Sequence, residues 1–209
     1  MGKSYFITAT GTDLGKTWLC AGLIAACREQ DRPVRAIKPV VSGYDPARHA
    51  ESDLARIGAG RTAWCYQAPF SPDLAAAKEG KSIDFDALVA WCRDEIATND
   101  GLLLIEGVGG MMVPLTAQHT VRDWIVALEV PTLLVAGTHL GALSHTLTAL
   151  AALREVGIRP ARLIVNETAD STVSVEETLA SLTPHVGDIP IVALRRDDAA
   201  GLARLASSL

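Results

Sequence analysis

The sequence predicts an α/β fold in which a doubly wound, mostly parallel sheet is flanked by helices. Short apolar runs alternate along the chain with longer stretches of helical periodicity, and this alternation is typical of a parallel sheet built from βαβ units. The short runs are also hydrophobic at nearly every position, as expected of strands that are covered on both faces. Both observations favour a buried sheet between two layers of helices.

The elements follow in order from these patterns. Strands are expected at 4–8, 34–38, 102–106, 132–136, 162–165 and 189–192, and helices near 16–29, 51–58, 84–97, 121–129, 142–156, 173–183 and 197–207. The stretch 43–83 contains several Pro and Gly residues and is the least regular, so we expect it to pass over the carboxyl edge of the sheet. No domain boundary is evident, and residues 1–209 are expected to form a single domain.

Composition excludes several classes of protein. The chain has 209 residues, a formal net charge of −5 and a pI near 5.5, which argues against nucleic-acid binding because such proteins carry basic patches. The four cysteines form no C-x-x-C pair, so they predict reduced thiols rather than a metal site or a disulfide framework. The start of the chain resembles no signal peptide and no apolar run approaches a membrane span. A cytoplasmic protein without membrane contact is therefore expected.

The stretch "YFITATGTDLGKTW" (5–18) indicates a phosphate-binding loop between a strand and a helix. Its Lys16 could bind phosphate and Thr17 could bind Mg²⁺. The strict pattern G-x-x-x-x-G-K-[ST] fails, however, because it requires glycine where Thr10 stands. The alternative is an ordinary strand–turn–helix connection with an incidental Gly-Lys-Thr, which the preceding strand and the following helix make the weaker interpretation.

Two further strands end on charged residues. Lys38 closes the second predicted strand, which should lie close to the first, so it could neutralise the group that attacks the γ-phosphate; alternatively it leaves a buried strand to reach solvent. Glu106 stops the run "LLLIE", the usual position of a metal-associated acid in enzymes with a phosphate loop. Asp53 is a plausible second acid, although aspartate is also favoured in the first turn of a helix.

A second helix start follows the strand 132–136. Exposed backbone N–H groups between Gly141 and Ser144 could bind a carboxylate, or Ser144 could simply cap the helix. His145 has no partner at metal-ligand spacing and is interpreted as structural.

Together these residues resemble the dethiobiotin synthetases. The matching segments run in order from residue 5 to about 168 and are "YFITATGTDLGKTW", "AIKPVVSG", "ESDLARI", "FSPDLAAAKEGKSID", "LLLIEGVGGMMVPL", "RDWIVALEVPTLLVAGTHLGALSHTLTAL" and "IVNET". The resemblance implies a carboligase of the P-loop NTPase-like fold that uses ATP and Mg²⁺. Its substrates would be 7,8-diaminopelargonate and CO₂ or bicarbonate, and its products dethiobiotin, ADP and phosphate. The chemistry would proceed through a carbamate and a carbamic–phosphoric anhydride.

The resemblance also implies roles for particular residues. Lys16, Lys38 and Thr12 would be catalytic. ATP would contact Asp13, Leu14, Gly15, Lys16, Thr17, Trp18, Asp53, Glu106, Gly107, Val108, Gly109, Asn166, Glu167, Pro190 and Ile191, the last four on the adenine side. Mg²⁺ would be held by Thr17, Asp53 and Glu106. The substrate would contact Thr12, Lys38, Ser42, Gly141, Ala142, Leu143 and Ser144, with its carboxylate on the 141–144 helix start of the second subunit of a homodimer.

The loop departs from the family pattern at one position. The family's first loop glycine aligns with Ala9, which lies six residues before Gly15. The strict pattern has five, so this loop is one residue longer. If the backbone at Ala9 needs a positive φ, alanine there carries about 1 kcal/mol of strain.

Three other classes of nucleotide-binding protein fit less well. A partitioning ATPase would carry a signature lysine early in its loop, and residues 9–13 contain none. A guanine-nucleotide switch would carry N-K-x-D, whereas the chain reads N-E-T-A at 166–169. A small-molecule kinase would bring an arginine-rich lid over the phosphates, but the only adjacent arginine pair, at 195–196, follows the last strand.

Overall fold

The computed structural model describes residues 2–58, 62–169 and 171–209. The strands are β1 (Lys3–Ala9), β2 (Val34–Ile37), β3 (Val40–Val41), β4 (Trp64–Cys65), β5 (Leu102–Glu106), β6 (Thr132–Ala136), β7 (Arg162–Asn166) and β8 (Ile191–Leu194). Six of them form one sheet in the order β2-β5-β1-β6-β7-β8, and every pairing in it is parallel. The predicted doubly wound α/β fold is thereby confirmed.

The helices cover both faces of this sheet. They are α1 (Lys16–Glu29), α2 (Asp53–Arg56), α3 (Pro72–Lys78), α4 (Phe85–Ala97), α5 (Val121–Leu128), α6 (Ala142–Glu155), α7 (Val175–Val186) and α8 (Ala199–Ser208), with a 3₁₀ helix at Pro46–Glu51. Among the described residues, no helix combines the length and the apolar character that crossing a bilayer requires.

Alternate residues of β1 show why the strands are hydrophobic throughout. Ile7 packs into a cluster with α1 and α8, whereas Phe6 points to the opposite face and packs with α4 and α5. Phe6 meets Trp124 edge to face, with ring centroids 4.8 Å apart. Because side chains alternate between faces with a period of two, a strand buried on both sides needs an apolar residue at every position.

The strand register brings the carboxyl ends of the central strands to one edge of the sheet. Ile7 of β1 lies opposite Glu106 of β5, and Ala9 lies opposite Val135 of β6. The strand β5 separates β2 from β1, so the second strand is not the direct neighbour of the first. The chain turns to opposite sides of β1 at this point, and such a topological switch is where open α/β sheets bind ligands.

The irregular stretch 43–83 contains more regular structure than its sequence indicates. It includes the 3₁₀ helix, α2, β4 and α3, and β4 pairs in parallel with β3. Further backbone hydrogen bonds, such as Gly43 N–H to the Ala68 carbonyl at 3.0 Å, extend this contact. They fix the 66–70 segment beside the residues that follow Lys38.

Two element boundaries differ from the sequence prediction. The helix expected at 51–58 is α-helical only over Asp53–Arg56, because Ser52 caps it by accepting from the Ala55 N–H and the preceding turn is 3₁₀. The last strand was expected at 189–192 but runs over Ile191–Leu194. It begins after Pro190, since proline has no N–H to donate and is confined to the start of a strand or to its edges.

Candidate active site

The first helix begins with a glycine that no other residue can replace without strain. Gly15, the N-cap of α1, has φ +90° and no side chain caps the helix. A Cβ at this position would lie 2.1 Å from Nδ2 of Asn166. Backbone N–H groups at the start of α1 therefore remain uncapped by side chains, which together with the helix dipole favours an anion.

Asn166, at the carboxyl end of β7, binds the backbone of this loop through its side chain. Its Nδ2 donates to the carbonyl of Leu14 over 3.0 Å. Leu14 itself is buried in the core cluster that includes α1. The loop is thus held in place from two sides before any ligand binds.

The strain expected at Ala9 is not there. Ala9 is the buried last residue of β1 and is not among the non-glycine residues with positive φ. The non-glycine loop residue with a left-handed backbone is Asp13, with φ +58°. Aspartate tolerates this region better than alanine does, so the longer loop turns at a residue suited to the turn.

Glu106 is the centre of the polar contacts beside the loop. It ends β5 with no exposed surface. Its Oε1 accepts from Oγ1 of Thr17 over 2.7 Å and from Nζ of Lys38 over 2.8 Å. Its Oε2 is also buried and has no hydrogen-bond partner within the described parts of the chain. One oxygen of the acid is therefore engaged and the other is free.

Lys38 bridges two acids instead of reaching solvent. Its side chain is 7% exposed, and its ammonium binds Asp53 as well as Glu106. Burial alone would lower the pKa of Lys38, but the two carboxylates outweigh burial and raise that pKa. The interpretation of Lys38 as a lysine that leaves a buried strand for solvent is wrong.

Asp53 is a helix-start residue, as one interpretation of its sequence context predicted, and it also lines the cleft. It is the first residue of α2, where an acid favours the helix dipole, and its carboxylate also binds Lys38. Burial would raise the pKa of Asp53, but the nearby charge of Lys38 and the hydrogen bond from it lower the pKa overall.

Lys16 spans the gap between two loops. Its Nζ donates to the carbonyl of Gly109 over 2.6 Å and lies 3.5 Å from the carbonyl of Gly11. The pKa of Lys16 is lowered, chiefly by burial. A phosphate placed at the loop would give this ammonium a charged partner in place of neutral carbonyls.

These groups line one cleft with a volume of about 730 Å³. Twelve of the residues expected at the site lie in it: Thr12, Asp13, Gly15, Lys16, Thr17, Trp18, Lys38, Ser42, Asp53, Glu106, Val108 and Gly109. Six residues that sequence reasoning missed complete the lining: Arg56, Pro69, Phe70, Ser71, Pro72 and Val113. Of these, Arg56 could have been found, because it follows Asp53 by three residues on a predicted helix.

Some expected residues lie outside the cleft lining. Gly107 lies against the core, where an added Cβ would come within 2.9 Å of the Phe6 ring. Glu167 follows Asn166 at the end of β7, and its carboxylate accepts from the backbone N–H of Arg196 over 2.9 Å. This contact joins the carboxyl ends of β7 and β8.

The adenine contact expected of Pro190 and Ile191 does not fit the structure. Ile191 pairs with Leu163, and Leu194 pairs with Asn166 at the carboxyl end of β7. Ile191 therefore lies three residues before that end. At about 3.3 Å per residue, Pro190 and Ile191 are about 10 Å or more from the carboxyl edge at which Asn166 ends. The sequence prediction begins β8 two residues too early. It therefore assigns Pro190 and Ile191 to the carboxyl edge of the sheet, where they do not lie.

The 141–144 helix start lies apart from the cleft lining. Gly141 is the N-cap of α6 with φ +94° and no side-chain cap, so the interpretation of Ser144 as the capping residue is wrong. Ala142 is buried, whereas Gly141, Leu143 and Ser144 are exposed. Among the N–H groups of this helix start, that of Ala142 donates to the carbonyl of His139 over 2.9 Å.

The fold and the cleft define a class of protein. A strand, a glycine-containing loop and a helix that opens with Lys16 and Thr17, beside an acid at the end of the neighbouring strand, form a P-loop NTPase-like nucleotide-binding domain. Solved structures share this fold: the MinC:MinD cell division protein complex of Aquifex aeolicus has a TM-score of 0.58 at 14% identity over 97% of this chain and 86% of its own. HypB from Helicobacter pylori in complex with nickel also has a TM-score of 0.58 at 14% identity, over 99% and 85%.

Sequence comparison identifies the family within this class. Residues 3–195 match the family model described as AAA domain. A protein of Acidiphilium cryptum named ATP-dependent dethiobiotin synthetase is 48% identical over 199 residues, which cover 89% of each chain. A protein of Caulobacter sp. with the same name is 42% identical over 217 residues, covering 98% of this chain and 93% of its own. The chain belongs to the dethiobiotin synthetase family.

Proposed function

We propose that this chain is an ATP-dependent dethiobiotin synthetase, a ligase of biotin biosynthesis that acts as one ATP-binding carboligase domain. It joins CO₂ to 7,8-diaminopelargonate, closes the ureido ring and releases ADP and phosphate. The observation that carries this proposal is the buried contact set of Lys38, Glu106 and Thr17 directly beside the phosphate loop. It supports the proposal because the cation Lys38 lies beside the phosphate loop, and an anionic acceptor of the γ-phosphoryl group needs such a charge.

The triphosphate binds at the start of α1. Backbone N–H groups of residues 13–18 and the ammonium of Lys16 contact phosphate oxygens, and Lys16 exchanges the Gly109 carbonyl for them. Since Lys16 is buried, its charge acts on the phosphates with little screening by water. This contact strengthens as charge develops on the oxygen that leaves with ADP.

The acceptor is a carbamate formed from one amine of the substrate and CO₂, with loss of a proton. A carbamate oxygen attacks the γ-phosphorus, the bond from that phosphorus to the β-phosphate oxygen breaks, and ADP leaves. The second amine then attacks the carbamate carbon, its C–O bond to phosphate breaks, and the ring closes as phosphate and a proton leave. Lys38, Thr12 and Ser42, which share the cleft, hold the carbamate in line.

The site offers donors that suit Mg²⁺. Oε2 of Glu106 is buried and free, Oγ1 of Thr17 is 2.7 Å from the other oxygen of that acid, and Asp53 lies across Lys38. Among residues 2–58, 62–169 and 171–209, no group of three or more His, Cys, Asp or Glu side chains could hold a metal by itself. Mg²⁺ fits such a set because it is commonly bound by one or two carboxylates and substrate phosphates. When bound, it neutralises charge on those phosphates.

Lys38 uses two of its three N–H donors on acids and has the third available for a carbamate. Glu106 and Asp53 hold it now, and these are the same carboxylates proposed for the metal. A divalent cation would bind the same two carboxylates that hold Lys38 now. Binding of the cation would therefore release the remaining donors of the Lys38 ammonium to the carbamate.

The adenine lies toward the β7–β8 side of the loop. Asn166 and Glu167 end β7 there, and the contact of Glu167 with Arg196 N–H fixes the adjacent end of β8. Asn166 keeps its side-chain carbonyl available for the exocyclic amine of the base, since its Nδ2 is already bound to Leu14.

The substrate carboxylate binds the 141–144 helix start of a second copy of the chain. Support comes from the exposure of this start and of its apolar neighbours: Leu140 is 88% exposed and Leu143 is 37% exposed. Neighbouring exposed apolar side chains are a feature of contact surfaces when they form one patch. A homodimer would cover them and bring the uncapped N–H groups to the neighbouring cleft.

Mixing two inactive variants tests this shared site. Lys16→Ala inactivates one cleft, and Ser144→Asp repels the carboxylate at the α6 start. A heterodimer of the two retains one cleft with both native elements, so mixing restores activity to about half the native value per heterodimer. If the cleft and the helix start belong to the same subunit, mixing restores nothing.

Incorporation of labelled bicarbonate tests the proposed reaction. With ATP, Mg²⁺ and 7,8-diaminopelargonate, the label is expected in the ureido carbon of dethiobiotin. Omission of ATP leaves the label in an acid-labile carbamate that is lost on acidification. Label in dethiobiotin without ATP, or none with it, contradicts the proposal.

A further inference from the structure

We propose that Arg56 is a further catalytic residue that binds the oxygens of the phosphoryl group as it passes from ATP to the carbamate. This inference rests on the proposed function and assigns an additional residue to the same site. The adjacent arginine pair at 195–196 follows the last strand, whereas Arg56 lines the cleft.

Local structure places Arg56 on the acceptor side of the cleft. It is the last residue of α2, and its side chain lines the cleft together with Lys16, Lys38 and Glu106. Its backbone N–H donates to the carbonyl of Ser52 over 3.1 Å. Residues three apart share one face of a helix, so Arg56 projects from the same face as Asp53, whose carboxylate binds Lys38.

The position of α2 separates Arg56 from the adenine. The helix follows β2 in the chain and contacts α1, and β2 forms the edge of the sheet opposite to β8. The base lies toward β7 and β8, at the far side of the phosphate loop. A guanidinium on α2 therefore meets the γ-phosphate end of the nucleotide and the acceptor beyond it.

The charges in the cleft leave Arg56 available. Lys16 is hydrogen-bonded to Gly109, and Lys38 is held by two acids. Within the described parts of the chain, no side-chain hydrogen bond or ion pair engages the guanidinium of Arg56.

The reaction needs such a cation more than an ordinary hydrolysis does. A carbamate oxygen with negative charge approaches a γ-phosphoryl group whose three outer oxygens are also charged. The planar guanidinium holds its N–H donors in a fixed fork that matches two of these oxygens, a geometry that an ammonium lacks. Arg56 makes and breaks no covalent bond; it stays on the phosphoryl oxygens while the bond to ADP breaks and the bond to the carbamate forms.

Arg56→Ala and Arg56→Lys test the role, with Arg48→Ala as the matched control. Arg48 belongs to the preceding 3₁₀ helix, pairs with Glu51 on the surface and does not line the cleft. Two quantities are measured for each protein: kcat for dethiobiotin formation, and the affinity for ADP with Mg²⁺ in the presence and absence of aluminium fluoride. ADP with aluminium fluoride imitates the phosphoryl group in transfer, whereas ADP alone lacks it.

Arg56→Ala is expected to lower kcat about a hundredfold and to weaken the ADP–aluminium fluoride complex to a similar degree. The affinity for ADP alone stays within about twofold, since Arg56 does not contact the diphosphate. Arg56→Lys keeps the charge and loses the two-pronged contact, so it recovers about a tenth of the native kcat. Arg48→Ala matches the native protein in both measurements.

Equal affinity of native protein and Arg56→Ala for ADP with aluminium fluoride would overturn the inference. A native protein that binds ADP but gains nothing from aluminium fluoride would overturn it too, because there would be no phosphoryl site for Arg56 to complete. A third outcome separates the two proposals. If the native protein makes no dethiobiotin, but Arg56→Ala abolishes the gain in ADP affinity that aluminium fluoride causes, the proposed reaction is wrong and the contact of Arg56 with the phosphoryl group stands.

Discussion

Two helix starts in this molecule are nearly identical in backbone and different in surroundings. Both α1 and α6 follow a buried parallel strand and have 14 residues, and neither is capped by a side chain. Their N-cap glycines, Gly15 and Gly141, have φ values of +90° and +94°. The first lies beside buried charges, and the second lies beside the exposed Leu140.

The difference comes from the neighbouring strands. The loop before α1 lies next to β5, which ends on Glu106, and Lys38 reaches the same acid from the end of β2. The loop before α6 is joined to the end of β7 by two threonines: Thr138 N–H donates to Oγ1 of Thr168 over 2.9 Å, and Thr168 N–H donates to Oγ1 of Thr138 over 3.1 Å. A strand–glycine–helix turn therefore offers backbone N–H groups to an anion at both helix starts. Only the start of α1 has charged side chains, Glu106 and Lys38, from adjacent strand ends beside it.

Lys16→Ala tests the α1 start with the largest expected effect. Its ammonium is the buried cation at the phosphate loop, so its loss should lower kcat for dethiobiotin formation about a thousandfold or more. The folded state should remain, because Lys16 donates only to backbone carbonyls. Steady-state kinetics with a circular dichroism control separates the two effects, and turnover within tenfold of native would be incompatible with the assigned role.

Lys38→Ala should affect chemistry more than nucleotide binding. Loss of the cation facing the carbamate is expected to lower kcat about a hundredfold, with KM for ATP within about threefold. The variant also leaves Glu106 buried with its ion pair broken, so the free energy of unfolding should fall by about 3–5 kcal/mol. Denaturant unfolding and kinetics measure both, and near-native turnover would remove the carbamate role.

Glu106→Gln keeps the shape of the side chain and removes its charge. The Mg²⁺ concentration that gives half-maximal nucleotide binding should rise about tenfold or more, because the amide is a poorer ligand than the carboxylate. Titration of Mg²⁺ against ATP binding measures this shift. An unchanged Mg²⁺ requirement would mean that Glu106 positions Lys38 and Thr17 only.

The paired variants Gly15→Ala and Gly141→Ala separate backbone strain from site disruption. Both alanines would adopt a left-handed backbone, at a cost of about 1 kcal/mol each. The added Cβ lies 2.1 Å from Asn166 Nδ2 at Gly15, but the nearest neighbour at Gly141 is His145 Cε1 at 3.8 Å. Gly141→Ala should therefore lose only that increment of stability, whereas Gly15→Ala should also displace Asn166 and weaken ATP binding. Equal losses in thermal unfolding and in ATP affinity would contradict this contrast.

Local patterns predicted most of the sheet and the phosphate-loop side of the cleft. The aliphatic run before Glu106 and the Gly-Lys-Thr that opens α1 each carry their signal within a few residues. Lys38 was placed at the end of its strand, although β5 lies between that strand and β1. These features depend on hydrophobic periodicity and turn chemistry, which a sequence shows directly.

The remaining features depend on contacts between distant residues. The 66–70 segment is placed by its pairing with the chain after Lys38. The left-handed turn lies at Asp13 and not at Ala9, next to Leu14, whose carbonyl binds Asn166. The start of β8 depends on its register with β7. These contacts have no local signal, whereas Arg56 does have one, because it follows Asp53 by three residues on a predicted helix.

Phosphate release from ATP with Mg²⁺ and bicarbonate, measured with and without 7,8-diaminopelargonate, tests the central claim most directly. We expect release to depend on the diamine, with one dethiobiotin formed for each phosphate. Phosphate release at the same rate without the diamine, and no dethiobiotin, would contradict the claim that the α1 cleft joins the triphosphate to a carbamate.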